Sequence, residues 1–538
     1  MSIFSVGLSG LNTAQKVLNT TSDNIANVYT PGYNRQQSML AEQQNGQGVK
    51  VSETRRFFDQ FISGQLNAAS SDLSALKSYQ RQAAQVDNFL ADQQAGLAPL
   101  MQNFFASVQD LVASPSDAAA RQGVLGTADV LAGQFRAFDD YLNDLNRGVN
   151  DQVRTAVSEI NNAAEKLASL NREINLATAR SGQAPNNLLN LRDQVVSELS
   201  EKVDVRVSVQ DGQAYNVSIG DGIPLVAGGT SGKLTATPSG ADPNRLAVGF
   251  TDAAGNTVEQ AESGFRGGVL AGLMSFREET LIPVQNEVGR LAATFALAFN
   301  EQHAAGLDAE GNPGADMFSL SSPQVHSHRQ NTGGTGVSAE FGDYRELTGT
   351  DYSIRVADAS ADQVEITRAR DGETVTRTLD ANGQLELDGV VLTFSGALAD
   401  GDRFLLHPTR RAAADMHNQI SDIGAIAAGL SGESGDNRNA LALQELQNAE
   451  LVGGNASFTQ HYAAIVSDAG NKANIVNVNT EAQQTLTDQI REIQQSESGV
   501  NLDEEAANLI RFQQYYQANA RVIDVGSTII DTLLGLRA

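Results

Sequence analysis

Two histidines separated by one residue, His326-Ser327-His328, are the first place in this chain of 538 residues to look for metal chemistry. A zinc site needs three or four N, O or S donors. The polar surroundings offer no nearby acid or thiol, so the pair reads as a solvated loop. Asp308-Ala309-Glu310-Gly311-Asn312 has the spaced acids of a calcium loop. Pro313 stands where that loop needs Gly, however, and Ser319 where it needs a bidentate Glu, so an Asx-rich turn is expected instead. No histidine is followed by Glu, which removes the HExxH metalloprotease pattern, and there is no GxSxG elbow or Walker-type phosphate loop. The absence of cysteine excludes thiol catalysis, disulfides and thiolate metal sites. Glu278-Glu279 and Glu504-Glu505 could act as acid–base pairs, but on helices they read as a solvated face and as first-turn charge suited to the helix dipole. The expectation is a protein that is not an enzyme, with no catalytic or metal-binding residues and no cofactor.

Bulk properties narrow the partners. The length predicts several domains, and 41% hydrophobic residues can fill their cores. A formal net charge of -27 argues against nucleic acid and against anionic membrane surfaces. No run approaches the ~18 apolar residues of a membrane span. Met1-Ser2-Ile3-Phe4-Ser5 has no Lys or Arg before Lys16 and no sustained apolar core, so no conventional signal peptide is expected.

The elements follow from periodicity. Phe4, Leu8, Leu11, Leu18, Ile25 and Val28 lie at helical spacing, and the helix should end before Pro31, with Gly32 as a flexible stop. Residues 55–201 read as mainly helical, with breaks at Ser114–Asp117 and Gly182–Pro185. Period two takes over at Val203, Val205, Val207 and Val209. Asp211-Gly212 marks a turn, and Tyr215, Val217 and Ile219 return. A helix is expected over 269–300, a second β-rich block over 338–408, and helix again from Ala412 onward. The last helix keeps a heptad register through Leu502, Leu509, Tyr516, Ile523, Ile530 and Leu534. Gln513, Gln514, Gln517 and Asn519 lie beside that stripe, where amides can fix register. The fold class is therefore α+β and multidomain. Terminal helices pair as a coiled-coil core, a helical bundle lies next to it, and β-rich domains are inserted mid-chain. The expected division is 1–50 with 497–538, then 51–337 with 411–496 (a hairpin region near 203–262), then 338–410. Neither terminal stripe can bury itself alone, so both ends are expected to lack order until they find a partner.

The segment "SGLNTAQKVLNTTSDNIANVYTPGYNRQ", Ser9–Gln36, closely resembles the N-terminal signature of the bacterial flagellar axial proteins, which are rod, hook and hook-associated subunits. "GVNLDEEAANLIRFQQYYQANARVIDVGSTIIDTLL", Gly499–Leu534, is similar to their matching C-terminal end. Tyr29 and Asn34 depart from the pattern. The turn Thr30-Pro31-Gly32-Tyr33, followed by Asn34-Arg35-Gln36, and the segments Gly435–Gln447 and Gly306–Phe318 resemble the hook–filament junction members more than rod or hook subunits. The resemblance implies a structural junction adaptor at the distal end of the hook. It implies a tube whose inner layer is built by terminal helices, and a location in the extracellular flagellum, reached through the flagellar type III export apparatus without a cleaved signal peptide. The implied partners are hook protein, a second hook-associated junction protein, further copies of the chain in a ring or helical layer, and an export chaperone at Leu502–Leu534. The expected assembly interface is Leu11, Leu18, Ile25, Leu502, Leu509, Tyr516, Ile523, Ile530 and Leu534. Alternative readings are another hook or rod subunit, a cytosolic coiled-coil scaffold, or a surface protein whose central β domain binds a ligand.

Overall fold

The computed structural model describes residues 3–536 apart from 44–47, 93–95, 184, 210–213, 253–254 and 432. Helix α1 (Ile3–Ala26) stops ahead of Pro31, as the sequence requires. An antiparallel ribbon that periodicity had not indicated follows, β1 (Gln36–Glu42) with β2 (Val49–Arg56). Helix α2 (Gln60–Leu90) starts at Asp59, whose carboxylate accepts the Phe61 and Ile62 N–H groups. Then come α3 (Leu97–Ala113), α4 (Ala118–Ser181) and α5 (Asn186–Ser200). Both expected breaks are present. Asp117 caps α4, and Gly182 closes it in the left-handed region at φ 73°. At 64 residues, α4 is a strut of roughly 96 Å.

Strands β3 (Val205–Val209), β4 (Tyr215–Ile219), β5 (Ile223–Ala227) and β6 (Thr230–Ser231) form a four-stranded antiparallel sheet, with Val207 opposite Val217. The expected Asp211-Gly212 turn lies outside the described residues. A three-stranded sheet follows from β7 (Lys233–Pro238), β8 (Leu246–Thr251) and β9 (Thr257–Glu259). Helix α6 (Gly268–Phe276) runs into α7 (Ile282–Ala304) through a π turn at Arg277–Leu281. The wider turn accommodates Pro283, which removes one backbone donor and crowds the preceding carbonyl.

The outer β region contains β10 (Gln324–Ser327), β11 (Gly336–Phe341), β12 (Tyr352–Asp358), β13 (Gln363–Arg368), β14 (Thr374–Thr378), β15 (Gln384–Leu387), β16 (Val390–Ser395) and β17 (Arg403–His407). They make a five-stranded sheet in the order β10-β17-β12-β13-β14 and a three-stranded sheet in the order β11-β16-β15. Because β10 pairs with β17, this region begins upstream of the expected residue 338. The expectation of helix from Ala412 onward also needs correction. The described residues of 412–437 are turns, irregular backbone and one short 3-10 turn at Ile423–Ala425, and α-helix resumes only with α8 (Arg438–Glu445), α9 (Phe458–Ser498) and α10 (Leu502–Gly535).

The helical body closes around phenylalanines from α3, α7, α9 and the 318 loop. The Phe104 ring lies 5.2 Å from Phe299 and 5.6 Å from Phe295, and Phe295 lies 5.2 Å from Phe458. Side-chain amides join these helices to β structure. Asn171 on α4 donates to Tyr215 O at 2.8 Å and accepts Tyr215 N–H at 3.1 Å. Asn161 does the same with Leu234 at 2.9 and 2.8 Å. Asn300 on α7 grips the Met317–Phe318 backbone in the same manner.

Arg277 in the π turn is fully buried. It pairs with Glu262 and donates to Asn150 Oδ1 and Leu246 O, each at 3.1 Å. Arg277→Ala is expected to lower unfolding stability by about 3–5 kcal/mol, because a buried pair is broken from one side. Asn171→Ala is expected to cost about 1–3 kcal/mol by stranding two buried peptide groups. Urea denaturation followed by circular dichroism measures both.

Candidate assembly interface

The interface begins with the polar turn that ends α1. Gly32 adopts φ 75°, a conformation that costs glycine little. The chain can therefore reverse and bring Asn34, Arg35 and Gln36 back beside the helix. Asn24 is 1% exposed and clasps Gln36, donating to its carbonyl at 2.8 Å and accepting its N–H at 3.0 Å. The Tyr33 hydroxyl donates to Asn24 Oδ1 at 2.9 Å. Burial first, and then the nearby Asp23 charge, push the Tyr33 phenol up to about 12, so it remains a donor.

The same group captures the start of α10. Asn24 Nδ2 also donates to Glu505 Oε2 at 3.1 Å, and Arg35 Nε donates to Glu505 Oε1 at 2.9 Å. Arg35 Nη1 reaches Glu504 at 2.8 Å, and the Arg35 backbone N–H donates to Ser498 O at 2.9 Å. Glu505 is 2% exposed, so its carboxylate depends on these partners. The neighbouring residues tie the knot to the helical body. Asn34 donates to Asn190 Oδ1 at 2.9 Å, and Arg56 pairs with Asp193 at 2.5 Å while lying over the Phe58 ring.

From this knot α1 and α10 run antiparallel. Asn24 lies by Glu505, Gly10 by Asn519, Gly7 by Ile523, and Ile3 by Gly526. The buried face of α1 is Gly7, Gly10, Ala14, Val17, Thr21 and Asn24, at steps of three and four. A Cβ on Gly10 would lie 2.0 Å from Asn519 Oδ1, and one on Gly7 would lie 2.7 Å from Ile523 Cγ1. The helices thus approach through small residues. An adjacent face meets the ribbon, where Thr13 donates to Val49 O at 3.0 Å and Ser9 Oγ accepts Val49 N–H at 3.3 Å. Each chain end therefore partners the other, as the expected pairing of the terminal helices requires.

The residues expected at the interface fall into two groups. Leu11, Leu18, Ile25, Leu509 and Ile523 are half-buried along the flanks of the pair, and Leu502, Tyr516, Ile530 and Leu534 are exposed. Ile510, Val522, Val525, Ile529 and Leu533 on α10, and Ile3, Val6 and Leu8 on α1, are exposed as well. Searching for large apolar side chains overlooks a seam made of glycine and alanine. The signal for it was the spacing of Gly7, Gly10 and Ala14. Beyond Gly526, opposite the described start of α1, α10 continues to Gly535, a projection of roughly 14 Å.

Among the described residues, one cluster of His and Asp side chains elsewhere is close enough to hold a metal ion. His326 lies on β10 and not in a solvated loop, and its ring centroid is 5.3 Å from that of His407. Asp242 joins them, with one donor atom from each residue within 4.8 Å of the others. Arg410 Nη1 stands 3.4 Å from both His407 Nε2 and Asp242 Oδ2, so a guanidinium already supplies positive charge where a metal ion would have to sit. Asp308 does form the expected Asx turn, accepting the Glu310 and Asn312 N–H groups at 2.8 Å each. Among the described residues, no helix is long and apolar enough to cross a membrane.

Comparison with known proteins places these features. Residues 83–318 match the family described as "Flagellar hook-associated protein FlgK helical domain", and residues 326–408 match "Flagellar hook-associated protein 1, D2-like domain". The two ends, 4–34 and 494–536, match "Flagella basal body rod protein" and "Flagellar basal body rod FlgEFG protein C-terminal". The chain is 42% identical to flagellar hook-associated protein 1 of Salmonella typhimurium, with all of both chains covered. It is 41% identical to that of Escherichia coli K12, again over the full length of each. The solved flagellar hook junction protein FlgK of Burkholderia pseudomallei superimposes with a TM-score of 0.76 at 27% identity, covering 80% of this chain and 100% of that one. With its rod-type ends, helical body and inserted β domain matched in order, the chain belongs to the flagellar hook-associated protein 1 family, whose members are structural flagellar proteins.

Proposed function

We propose that the chain is the hook–filament junction adaptor of a bacterial flagellum, assembling at the distal end of the hook and presenting a surface for the next hook-associated junction protein. The observation that carries this reading is the antiparallel pair of chain ends. Its inner seam is closed by small residues, while its outer surface leaves a run of large apolar side chains exposed. Exposed apolar area on this scale marks a protein interface. Repeated head-to-tail contacts between identical copies generate a ring or helical layer. Leu502, Tyr516, Ile530 and Leu534, with Leu11, Leu18, Ile25, Leu509 and Ile523 on the flanks, are the contacts proposed to face hook protein and neighbouring copies. The division proposed is a core of 3–56 with 499–536, a helical body of 60–323 with 408–498, and an outer domain of 324–407.

An export chaperone is proposed to cover α10 before assembly, and the projecting segment after Gly526 is its natural grip. It carries Ile529, Ile530, Leu533, Leu534 and Leu536, all exposed. Export through the type III apparatus without a cleaved signal peptide is proposed together with that chaperone.

Gly10→Leu is expected to wedge the helices apart and reduce capture of the protein on purified hook ends by about tenfold or more, equivalent to roughly 1.4 kcal/mol, while body unfolding is unchanged. Gold-labelled protein counted on hooks by electron microscopy reads this, and label spread along whole hooks would contradict an end-specific adaptor. Removing residues 527–538 is expected to abolish capture with the same unfolding profile. Glu505→Gln is expected to weaken the knot, seen as faster protease cleavage near Val500.

A further inference from the structure

The polar cluster around His407 lies where the outer β domain meets the helical body. Asp242 belongs to the loop between β7 and β8 of the body, and His326, Asp351 and His407 belong to the outer domain. Arg410 follows β17 on the turn leading back into the body. His407 is 3% exposed, with Nδ1 2.9 Å from Asp351 Oδ1 and Nε2 3.6 Å from Asp242 Oδ2. Arg410 pairs with both carboxylates and reaches Asn286 Oδ1 on α7 at 3.4 Å. The adjacent Thr409 hydroxyl donates to the Asn286 carbonyl at 2.8 Å.

We propose that Asp242, Asp351, His407 and Arg410 form a proton-operated lock that holds the outer β domain in one attitude on the helical body and releases it when His407 loses its proton. The charge count carries the proposal. Two buried carboxylates face one guanidinium, and only a protonated His407 makes the group neutral. Without that proton, a net negative charge is left in a site that water barely reaches. The neutral imidazole also has another bond to make. Its Nε2 can accept from Arg410 Nη1 at 3.4 Å, which draws Arg410 away from Asp242.

The other groups facing the site do not supply the missing charge. Arg245 and Arg277 line the same small cavity of about 30 Å³, but two carboxylates balance them: Glu262, which both engage, and Glu278, which Arg245 also reaches at 3.3 Å; Arg411 is engaged by Asp139 at 2.9 Å. Burial and the neighbouring His407 both hold the His326 imidazole below its ordinary value, so it stays neutral beside a charged neighbour. Burial is the strongest single influence and opposes the charge on His407, but the Asp351 and Asp242 carboxylates together outweigh it and raise the imidazole above its ordinary value. Asp242 and Asp351 are depressed despite their burial, by His407 and Arg410. The His407 contribution is therefore complete below the ordinary histidine value and is lost as pH rises through its raised value in the folded protein. The two carboxylate contributions are lost only on strong acidification, below the ordinary carboxylate value. His326 acts in the opposite direction, because its protonation on acidification disfavours the closed site.

The chain has no native cysteine, so two spin labels can be placed cleanly, at Gln122→Cys on α4 and Thr376→Cys on β14, both exposed. In the full chain, pulsed-dipolar distances are expected to form a narrow distribution near pH 6 that broadens by about pH 9. His326→Asn should leave that transition in place. Asp242→Asn, which removes one carboxylate and one reason to hold the proton, should move the midpoint down by about one pH unit. His407→Asn should give the broad distribution throughout. A distribution insensitive to pH, or an Asp242→Asn midpoint equal to the parent's, would overturn the lock. So would a distribution that responds to added Zn²⁺ at pH 7 and not to pH, which would make the cluster a His–His–Asp metal site.

Discussion

A helix has no spare backbone donors or acceptors along its sides, whereas the edge of a strand has a full row of both. Joining the two requires a side chain that can do both jobs at one point. In this chain that side chain is repeatedly asparagine. Asn24, Asn161, Asn171 and Asn300 each present the carboxamide oxygen and nitrogen to backbone groups of a neighbouring segment. Each clasp fixes position along the helix as well as contact, because a slip of one residue would break both bonds. The Phe104–Phe295 core supplies most of the burial, but its contacts are non-directional and would tolerate such slips. The clasps set register, and the knot at Asn24 depends on one of them.

The knot shows how a short polar sequence can govern distant parts of a chain. Arg35 and Glu505 are 470 positions apart, yet their side chains meet at 2.9 Å. Closing so long a loop is entropically unfavourable, though the cost grows only slowly with length. Directional bonds among Asn24, Tyr33, Arg35, Glu504 and Glu505 are concentrated at that one closure. The helices beyond it need only small residues to lie flat against one another. Both ends match rod-protein families, and the observed packing makes those two ends one unit.

Periodicity located α10, the β3–β4 alternation and the breaks at Asp117 and Gly182, because in each case local chemistry and the tertiary environment point the same way. It failed where the deciding partner is distant. The β1–β2 ribbon alternates half-buried and exposed positions, but a bulge at Met39–Leu40 shifts the phase and the half-buried set includes Gln36, Ser38, Thr54 and Arg56, so hydropathy does not alternate. Residues 412–437 are rich in alanine and isoleucine and look helical, but they follow the contour of α3, α4 and α7 as irregular backbone, with Arg121 satisfying the Ile423 and Ile426 carbonyls. His326 looked solvated because Asp242 and His407 come to it from 84 and 81 positions away. The expected stripe of Leu11, Leu18 and Ile25 was legible as a stripe, but glycine at the true seam has no hydropathy to read.

The charged hold on the helix pair is at one end, where Arg35, Asn24 and Glu505 meet, with only the lighter Ser9 and Thr13 bonds to Val49 farther along, and α10 runs on past the described start of α1. Mechanically it is a cantilever. A sideways load at the tip becomes a bending moment greatest at the clamp, roughly 45 Å away along α10 at 1.5 Å per residue. Contacts between small residues slide easily and resist such a moment poorly. Charged and amide bonds, which depend on angle, resist it well. The most angle-dependent bonds of the terminal unit are therefore placed where the torque is highest.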